Sequence, residues 1–254
     1  MKRYLALTGL IFAVCAVAPA QENTGSRVVV PSRNTSRPRV VRASTVNSPI
    51  TVRTHSGTDV IVETEGGRTG IRRLPETTPD GLHRIDIPRG ASVSEDDNVI
   101  TVHAPLSGEA LILTVPVDTS VQLKSTRGPI RVDGVHGEVD ASCTNGSLDL
   151  TNISGTIVAD TTNGAVRASM DRVDPSKPIS FSSVNGSVDV TLPADLRANI
   201  KVRTMNGSVW TAFDLRMAGN LNVNHGGSVS GTINGGGVEA SFSTVNGRIE
   251  IRKK

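Results

Sequence analysis

Aromatic side chains are scarce in this sequence, which has one Trp, one Tyr and four Phe among 254 residues. Beyond residue 20 the aromatic residues are Phe181, Trp210, Phe213 and Phe242. Such a composition excludes a bulky aromatic core. The abundance of Val, Ile, Thr and Ala favours thin, stacked β layers instead, so we expect an all-β fold.

The sequence also has few cysteines and a small net charge. Of the two cysteines, Cys15 and Cys143, only Cys143 follows residue 20, which excludes an intramolecular disulfide in a chain processed there. Without Lys2 and Arg3, 25 basic residues (27 less 2) stand against 24 acidic ones. This near balance of charge argues against a polyanionic partner, so we predict no nucleic-acid partner.

No long apolar run follows residue 20, so we expect no membrane span in that part of the chain. The N-terminus is typical of a secretory signal, because Lys2 and Arg3 precede an apolar stretch at 4–17 and a small-residue site at 18–20. We predict a signal peptide over residues 1–20 and a flexible arm over 21–38. The protein is then exported, to the periplasm, the cell surface or the medium.

Regularly spaced glycine is the strongest positive feature. Five glycines lie nine residues apart and five more follow at wider steps, namely Gly128, Gly137, Gly146, Gly155, Gly164, Gly186, Gly207, Gly227, Gly236 and Gly247. The residue two positions after each is apolar, as a strand with one buried face requires. The pattern predicts a single-stranded parallel β-solenoid, or β-helix, over 39–254, with rungs of about 18–22 residues and an irregular insertion at 63–98. The weaker repeats at 46–62 are expected to be its first rungs.

Asn-Gly dipeptides mark the expected corners, and their asparagines are Asn145, Asn163, Asn185, Asn206, Asn234 and Asn246. We expect these dipeptides to supply the positive φ that a turn requires. Because Asn-Gly also forms two-residue hairpins, an antiparallel sheet remains an alternative. Parallel stacking further predicts an outward column of alternating charge, formed by Arg131, Asp149, Arg167 and Asp189 and continued by Trp210, Ser230 and Glu250.

Two segments carry a family resemblance. The first is Val115-Pro116 followed by Val121, Leu123, Ser125, Gly128 and Ile130; the second is Leu192-Pro193 followed by Ile200, Val202, Thr204, Gly207 and Val209. Over about residues 40–254 the chain resembles the bacterial "putative adhesin" β-strand-repeat family of unknown function. The resemblance implies an exported β-solenoid, and it carries no catalytic residues.

The sequence offers only weak candidates for a catalytic site. Asp140 and Asp160 form the carboxylate pair that a polysaccharide-cleaving solenoid would use, but no Tyr or Trp platform lies beside them in sequence. The five histidines lack the short spacing of transition-metal sites. Cys143 takes the position that Thr or Ser takes in other repeats, which predicts a corner residue instead of a nucleophile. We predict no enzymatic activity, no cofactor and no metal site.

The predicted binding residues are Trp210 and Phe213. Trp210 falls on an outward strand position, where an exposed aromatic side chain marks a contact site unless Phe213 and its loop cover it. We expect a non-catalytic, adhesin-like monomer that binds an envelope polymer or protein. A polysaccharide-active enzyme and a self-associating envelope scaffold are the alternatives. The C-terminal strand at 248–252 is expected to be an unpaired edge guarded by Arg252, Lys253 and Lys254.

Overall fold

The computed structural model describes residues 27–32, 38–65, 91–104, 108–217 and 227–254, so the predicted signal peptide at 1–20 lies outside the described residues. The regular elements described are all β-strands, which confirms the all-β class. They are β1 (Arg27–Val30), β2 (Arg39–Thr45), β3 (Ile50–His55), β4 (Val60–Glu65), β5 (Ser92–Asp96), β6 (Val99–His103), β7 (Ala110–Pro116), β8 (Thr119–Arg127), β9 (Ile130–Asp133), β10 (Glu138–Asn145), β11 (Leu148–Asn163), β12 (Val166–Val173), β13 (Ile179–Asn185), β14 (Val188–Leu192), β15 (Ala198–Asn206), β16 (Val209–Thr211), β17 (Arg216–Met217), β18 (Ser228–Ile233), β19 (Val238–Asn246) and β20 (Ile249–Lys253).

Strand pairing arranges these elements in two sheets that share β11. Sheet 1 has the order β1-β4-β7-β3-β9-β11-β12-β14-β20-β16. Sheet 2 has the order β5-β6-β2-β8-β10-β11-β13-β19-β15-β18-β17. The first half of β11 pairs in sheet 1 and its second half in sheet 2, so one rung passes directly into the next.

The central strands pair in parallel and at the expected spacing. Val121 pairs with Val139, and Val139 pairs with Ile157, each 18 residues further along the chain. The hairpin alternative is therefore wrong for this part of the chain. Antiparallel pairs occur towards the two ends, at β1–β4, β4–β7, β5–β6, β15–β18 and β17–β18. The sheets are consequently mixed. Of these five pairs only β5–β6 is a tight hairpin, which turns at Asp97 and Asn98 with positive φ (44° and 65°).

Both expected irregular segments contain strands. Within the predicted arm at 21–38, β1 pairs with β4. Within the predicted insertion at 63–98, β4 extends to Glu65 and β5 pairs antiparallel with β6; residues 66–90 lie outside the described residues. Arg39 holds the end of β1 in place, because its buried guanidinium donates hydrogen bonds to the carbonyls of Pro31 (2.9 Å) and Thr58 (2.7 Å).

The order of the rungs differs from the order of the sequence at both ends. β2 and β3 insert between the β6–β7 and β8–β9 rungs, so the repeat at 46–52 is not a first rung, whereas residues 60–62 lie on β4, beyond β7. Likewise, β19 and β20 insert between the β13–β14 and β15–β16 rungs. The expectation of an unpaired C-terminal edge is therefore wrong. Basic residues at the C-terminus form ion pairs within the molecule: Arg252 pairs with Asp189 (3.2 Å), and Lys254 pairs with Asp171.

One core lies between the two sheets. Five of the apolar residues that lie two positions after a repeat glycine are fully buried in it, which confirms the predicted inward positions; they are Val139, Leu148, Ile157, Val166 and Val188. The rings of Phe181 and Phe242 stack with their centroids 5.4 Å apart, on strands that pair in parallel. Thin aliphatic layers thus fill most of the core, as the composition indicates.

Asparagines at one corner form a ladder of side-chain hydrogen bonds. Each amide nitrogen donates to the side-chain oxygen on the next rung, over 2.8–2.9 Å, in the order Asn206, Asn246, Asn185, Asn163 and Asn145. Of the six Asn-Gly dipeptides, Asn234-Gly235 has a positive φ at both residues (48° and 85°) and Asn163-Gly164 has one at the glycine (157°), so the prediction of positive φ is wrong for the other four. The five ladder asparagines are explained by their side-chain hydrogen bonds instead.

The glycine that follows each ladder asparagine is explained by close approach of two rungs. A Cβ atom on Gly186 would overlap the carbonyl oxygen of Gly164, and one on Gly207 would overlap that of Gly247. Backbone hydrogen bonds join the same corners, for example Gly186 N to Asn246 O at 3.1 Å. The glycine spacing therefore reports where successive rungs are in contact.

Candidate binding surface

Trp210 is exposed at the end of sheet 1. It lies in the middle of β16, which pairs with β20 through Val209, Trp210 and Thr211. Its side chain is 64% exposed, and its indole nitrogen donates a hydrogen bond to Ser208 Oγ at 3.0 Å. An amphipathic ring is thus held on an outer strand with most of its surface in contact with solvent.

Phe213 occupies a different environment from Trp210. Its ring is only 5% exposed, and Lys253 Nζ lies 5.3 Å from the ring centroid. The Thr211 hydroxyl accepts a hydrogen bond from Phe213 N at 3.0 Å, which fixes the turn after β16. The ring is therefore not available to a partner in this conformation, and it does not cover Trp210. Phe213 supports the surface, whereas Trp210 forms part of it.

A groove lies beside β16, along the segment that follows it. It encloses about 630 Å³, and Phe213, Leu215 and Met217 supply its apolar lining. Met217 is 50% exposed, and Met205 on the neighbouring β15 is 60% exposed. Within the described part of the chain, β16 pairs on one side only, with β20. Three exposed apolar side chains and one strand edge thus lie at the same end of the fold.

The outward column of charges follows the predicted order as far as Asp189. Arg131, Asp149, Arg167 and Asp189 are register neighbours, and Arg167 Nη1 lies 3.3 Å from Asp149 Oδ1. Glu250 and Trp210 do continue the column, but their predicted order is wrong, because β20 places Glu250 between Asp189 and Trp210. Ser230 lies in sheet 2, opposite Lys201. Arg252 contacts both Asp189 and Glu250, which offsets the repulsion between these adjacent carboxylates.

Asp140 and Asp160 lie side by side on the outward face of sheet 2. Asp140 pairs with Val158, and Asp160 pairs with Ser142 two residues further on. Burial raises the pKa of Asp160; a hydrogen bond with Ser182 opposes this shift, and the charge of Asp140 adds to it. A glycosidase needs its two carboxyls on opposite sides of the scissile bond, about 5 to 10 Å apart. Asp140 and Asp160 are diagonal neighbours on adjacent strands of one sheet face, and neither of them lines the groove beside β16.

Cys143 is a buried corner residue, as predicted. Its thiol donates to the carbonyl oxygen of Gly128 at 3.4 Å, and burial raises its pKa. Thr161 makes the same bond to Gly146 O (3.0 Å), and Ser183 makes it to Gly164 O (2.9 Å). A raised pKa disfavours the reactive thiolate. Among the described residues no three His, Cys, Asp or Glu side chains are grouped closely enough to hold a metal ion.

Sequence reasoning missed a contact between Ser44 and His103. Ser44 Oγ and His103 Nδ1 lie 2.7 Å apart, in a groove of about 450 Å³ that Lys124 and Ser142 also line. These residues come from β2, β6, β8 and β10, which are neighbours in sheet 2. The insertion of β2 between β6 and β8 brings them together, and no local motif in the sequence indicates it.

Comparison with known proteins gives matches to one family and to solved structures. The family model described as Toastrack DUF4097 matches residues 48–252. A crystal structure described as a "putative cell adhesion protein" from Clostridium sporogenes covers 91% of this chain and 99% of its own, with 11% identity and a TM-score of 0.51. A "putative adhesin" from Bacteroides fragilis covers 91% and 97%, with 13% identity and a TM-score of 0.30. Curated proteins give no match. At such identities the Clostridium structure indicates a shared fold alone.

Proposed function

We propose that this chain, which belongs to the Toastrack DUF4097 family, is a non-catalytic, adhesin-like binding module of the bacterial cell envelope. The name of the Clostridium structure, a "putative cell adhesion protein", supports a binding role of this kind. The exposed Trp210 on β16 is the observation that carries the proposal. Its partner is an envelope polymer or an envelope protein.

The proposed architecture is a single-stranded parallel β-solenoid whose mixed ends are extended by antiparallel strands. Register offsets of 18 residues between β8, β10 and β11, and of 22 between Val158 and Ser180, support rungs of 18–22 residues. Rungs that are tied together through asparagines and buried aliphatic layers form a stiff body. A stiff body suits a binding module because its surface residues are held in place before a partner arrives.

Trp210 is the proposed contact residue, and Phe213 is the residue that supports it. Tryptophan at a surface offers a large apolar area with little side-chain entropy to lose, which is why such residues dominate binding energies at interfaces. The adjacent groove offers Leu215 and Met217 to the same partner. Phe213 keeps its ring under Lys253 and thereby fixes the turn that borders the groove.

The proposal assigns no catalytic residue. The anchored thiol of Cys143 supports this reading, as does the position of Asp140 and Asp160 outside the two grooves described above. The proposal also includes cleavage of the signal peptide at residue 20 and export to the periplasm, the cell surface or the medium. Among the described residues, no helix has the length and apolar character needed to cross a membrane.

The proposal is tested by immobilising the exported protein and measuring retention of components from an envelope extract. Val184 is exposed but lies at mid-stack, on β13, so Val184→Ala is the matched control. We expect Trp210→Ala to lower the retained amount at least about tenfold, the usual effect of losing a central aromatic contact, and Val184→Ala to leave it unchanged. Equal retention by all three proteins contradicts the proposal.

A further inference from the structure

The six Asn-Gly dipeptides of this chain are candidate sites of spontaneous deamidation. Glycine favours this reaction because it has no side chain to hinder attack by its own backbone nitrogen. That nitrogen bonds to the asparagine Cγ, the Cγ–Nδ2 bond breaks, and ammonia leaves with the proton of the glycine N–H. Water then opens the resulting cyclic imide to give aspartate or isoaspartate. Which dipeptides react in the folded protein therefore depends on what holds each asparagine and glycine in place.

Four of the dipeptides are protected by the rung that stacks on them. In each, the glycine N–H donates a hydrogen bond of 3.0–3.2 Å to the asparagine carbonyl of the adjoining rung; the donors are Gly146, Gly164, Gly186 and Gly247. The side-chain oxygen of each of these four asparagines also accepts a ladder bond of 2.8–2.9 Å. Attack requires these bonds to break, which means opening a junction between two rungs.

The dipeptide Asn206-Gly207 lies on the last rung of the ladder and lacks both bonds. Asn206 donates to Asn246 Oδ1 at 2.9 Å. Among the residues that the structure describes, however, nothing donates to Asn206 Oδ1, and Gly207 N has no acceptor. Gly207 is also exposed, whereas the glycines of the four protected dipeptides are half-buried. The two reacting atoms can therefore meet through movement of this corner alone, without displacement of a covering rung.

The sixth dipeptide, Asn234-Gly235, is restrained in another way. Gly235 N donates no hydrogen bond within the described part of the chain. The side chain of Asn234 is nevertheless anchored, because its Nδ2 donates to the carbonyl oxygens of Ala194 (3.2 Å) and Leu196 (2.8 Å). Turning this amide towards Gly235 N breaks both bonds, whereas Asn206 has only one side-chain bond to lose.

We infer that Asn206 is a modification site, which deamidates spontaneously in the folded protein and does so before any other Asn-Gly asparagine. Both products carry a carboxylate, which accepts hydrogen bonds and does not donate them, so the bond to Asn246 Oδ1 is lost. Isoaspartate also adds a methylene to the main chain just before β16, the strand that carries Trp210. The modification is independent of the proposed function, but its effect on binding through Trp210 rests on that function.

Peptide mapping by mass spectrometry tests the assignment on the exported protein, incubated in its folded state at mildly alkaline pH. Trypsin releases residues 204–216 as one peptide, in which Asn206 is the only asparagine. We expect Asn206 to deamidate at least about tenfold faster than Asn163, because opening the end of a stack costs less free energy than opening its middle. In concentrated urea, which removes the protection, the six dipeptides should react at similar rates. An unincubated sample, digested in parallel, gives the background.

Trp210 supplies a second readout, because it is the only tryptophan in the chain. We expect its fluorescence emission to change in step with the modified fraction of Asn206. The control is Asn206→Gln, whose longer side chain would have to close a larger ring. This variant should keep both its mass and its emission spectrum over the same incubation.

Several outcomes overturn the inference. Deamidation of the folded protein that is equal or faster at any of the other five dipeptides does so, as does an unmodified Asn206 in a folded protein whose urea-treated sample reacts. An emission change that Asn206→Gln shares contradicts the link between this corner and Trp210. If Trp210→Ala retains envelope components like the wild type while Asn206 deamidates first, the proposed function fails and this inference stands.

Discussion

Asn246 donates its side-chain amide hydrogen to Asn185 Oδ1 at 2.8 Å, although the two residues are 61 positions apart in the sequence. The bond exists because β19 stacks directly on β13, and the last rung of the chain thereby becomes an internal one. Asn185 in turn donates to Asn163. The ladder is therefore continuous across a junction between rungs that are distant in sequence.

Replacing Asn185 with Ala should destabilise the fold more than replacing Asn206. Asn185 takes part in two ladder bonds and Asn206 in one, and a typical intramolecular hydrogen bond contributes about 0.5 to 1.5 kcal/mol. We expect Asn185→Ala to lose about 1 to 2 kcal/mol in urea unfolding, and Asn206→Ala about half of that. Equal losses in the two variants would argue against a ladder whose bonds act separately.

Alanine at Gly186 should be strongly destabilising. The added Cβ would overlap the carbonyl group of Gly164, and no side-chain rotation can relieve this overlap because the carbonyl belongs to the backbone. We expect a loss of about 2 to 3 kcal/mol, the range for overpacking a dense interior. Gly227 provides the control, since a Cβ there meets nothing within 4 Å. If Gly186→Ala unfolds at the same urea concentration as Gly227→Ala, the close approach of the rungs is wrong.

Leu148 and its neighbour Asp149 test the inward and outward register of β11. Leu148→Asp would bury an unpaired carboxylate in the core, so we expect no folded protein by circular dichroism. Asp149→Ala removes an exposed pair with Arg167 and should cost no more than about 1 kcal/mol. A folded Leu148→Asp variant, or an unfolded Asp149→Ala variant, would reverse the assignment of the two faces.

The raised pKa of Asp160 makes a pH-dependent prediction. A carboxyl whose pKa is higher in the folded than in the unfolded protein keeps its proton to a higher pH in the folded state. The free energy of unfolding therefore falls as pH rises from the unfolded-state pKa of 3.8 to the higher folded-state pKa. Asp160→Asn removes this dependence while keeping an acceptor for Ser182. The variant should gain stability relative to wild type between pH 3 and 7, by less than about 1 kcal/mol because the carboxyl is only partly buried and solvent screens its charge. A relative loss over the same range, in urea titrations at each pH, contradicts the assignment.

The register of the central rungs could be predicted because residues close together in the sequence determine it. Gly128 to Gly164 recur every nine residues, and the apolar residue two positions later fixes which face is buried. The order of the rungs could not be predicted in the same way. A strand such as β20 has the same inward pattern whichever rung it stacks on, so nothing local places it between β14 and β16.

The candidate surface was predictable to a similar extent. Alternation along β16 places Trp210 outward, but its exposure depends on where sheet 1 stops, which is a property of the whole stack. Phe213 follows the strand in a turn, where alternation no longer applies, so its burial under Lys253 could not be deduced. The contact between Ser44 and His103 depends on the insertion of β2 beside β6, so it could not be predicted from the sequence either.

Substitutions at Cys143 test whether the hydrogen bond at this corner adds to stability. Threonine and valine are suitable replacements, because they have nearly the same shape and differ in one hydroxyl. The equivalent residues Thr161 and Thr244 each donate to a corner carbonyl at 3.0 Å, whereas the Cys143 thiol does so at 3.4 Å. Cys143→Thr should therefore be at least as stable as the wild type. Cys143→Val leaves the Gly128 carbonyl without this donor and should be less stable than Cys143→Thr by about 1 kcal/mol. Urea unfolding of the two variants side by side measures the difference, and because their volumes match, packing contributes little to it. If the valine variant proves equal or superior, the hydroxyl at this corner adds nothing to stability, and the preference for Thr and Ser there needs another explanation.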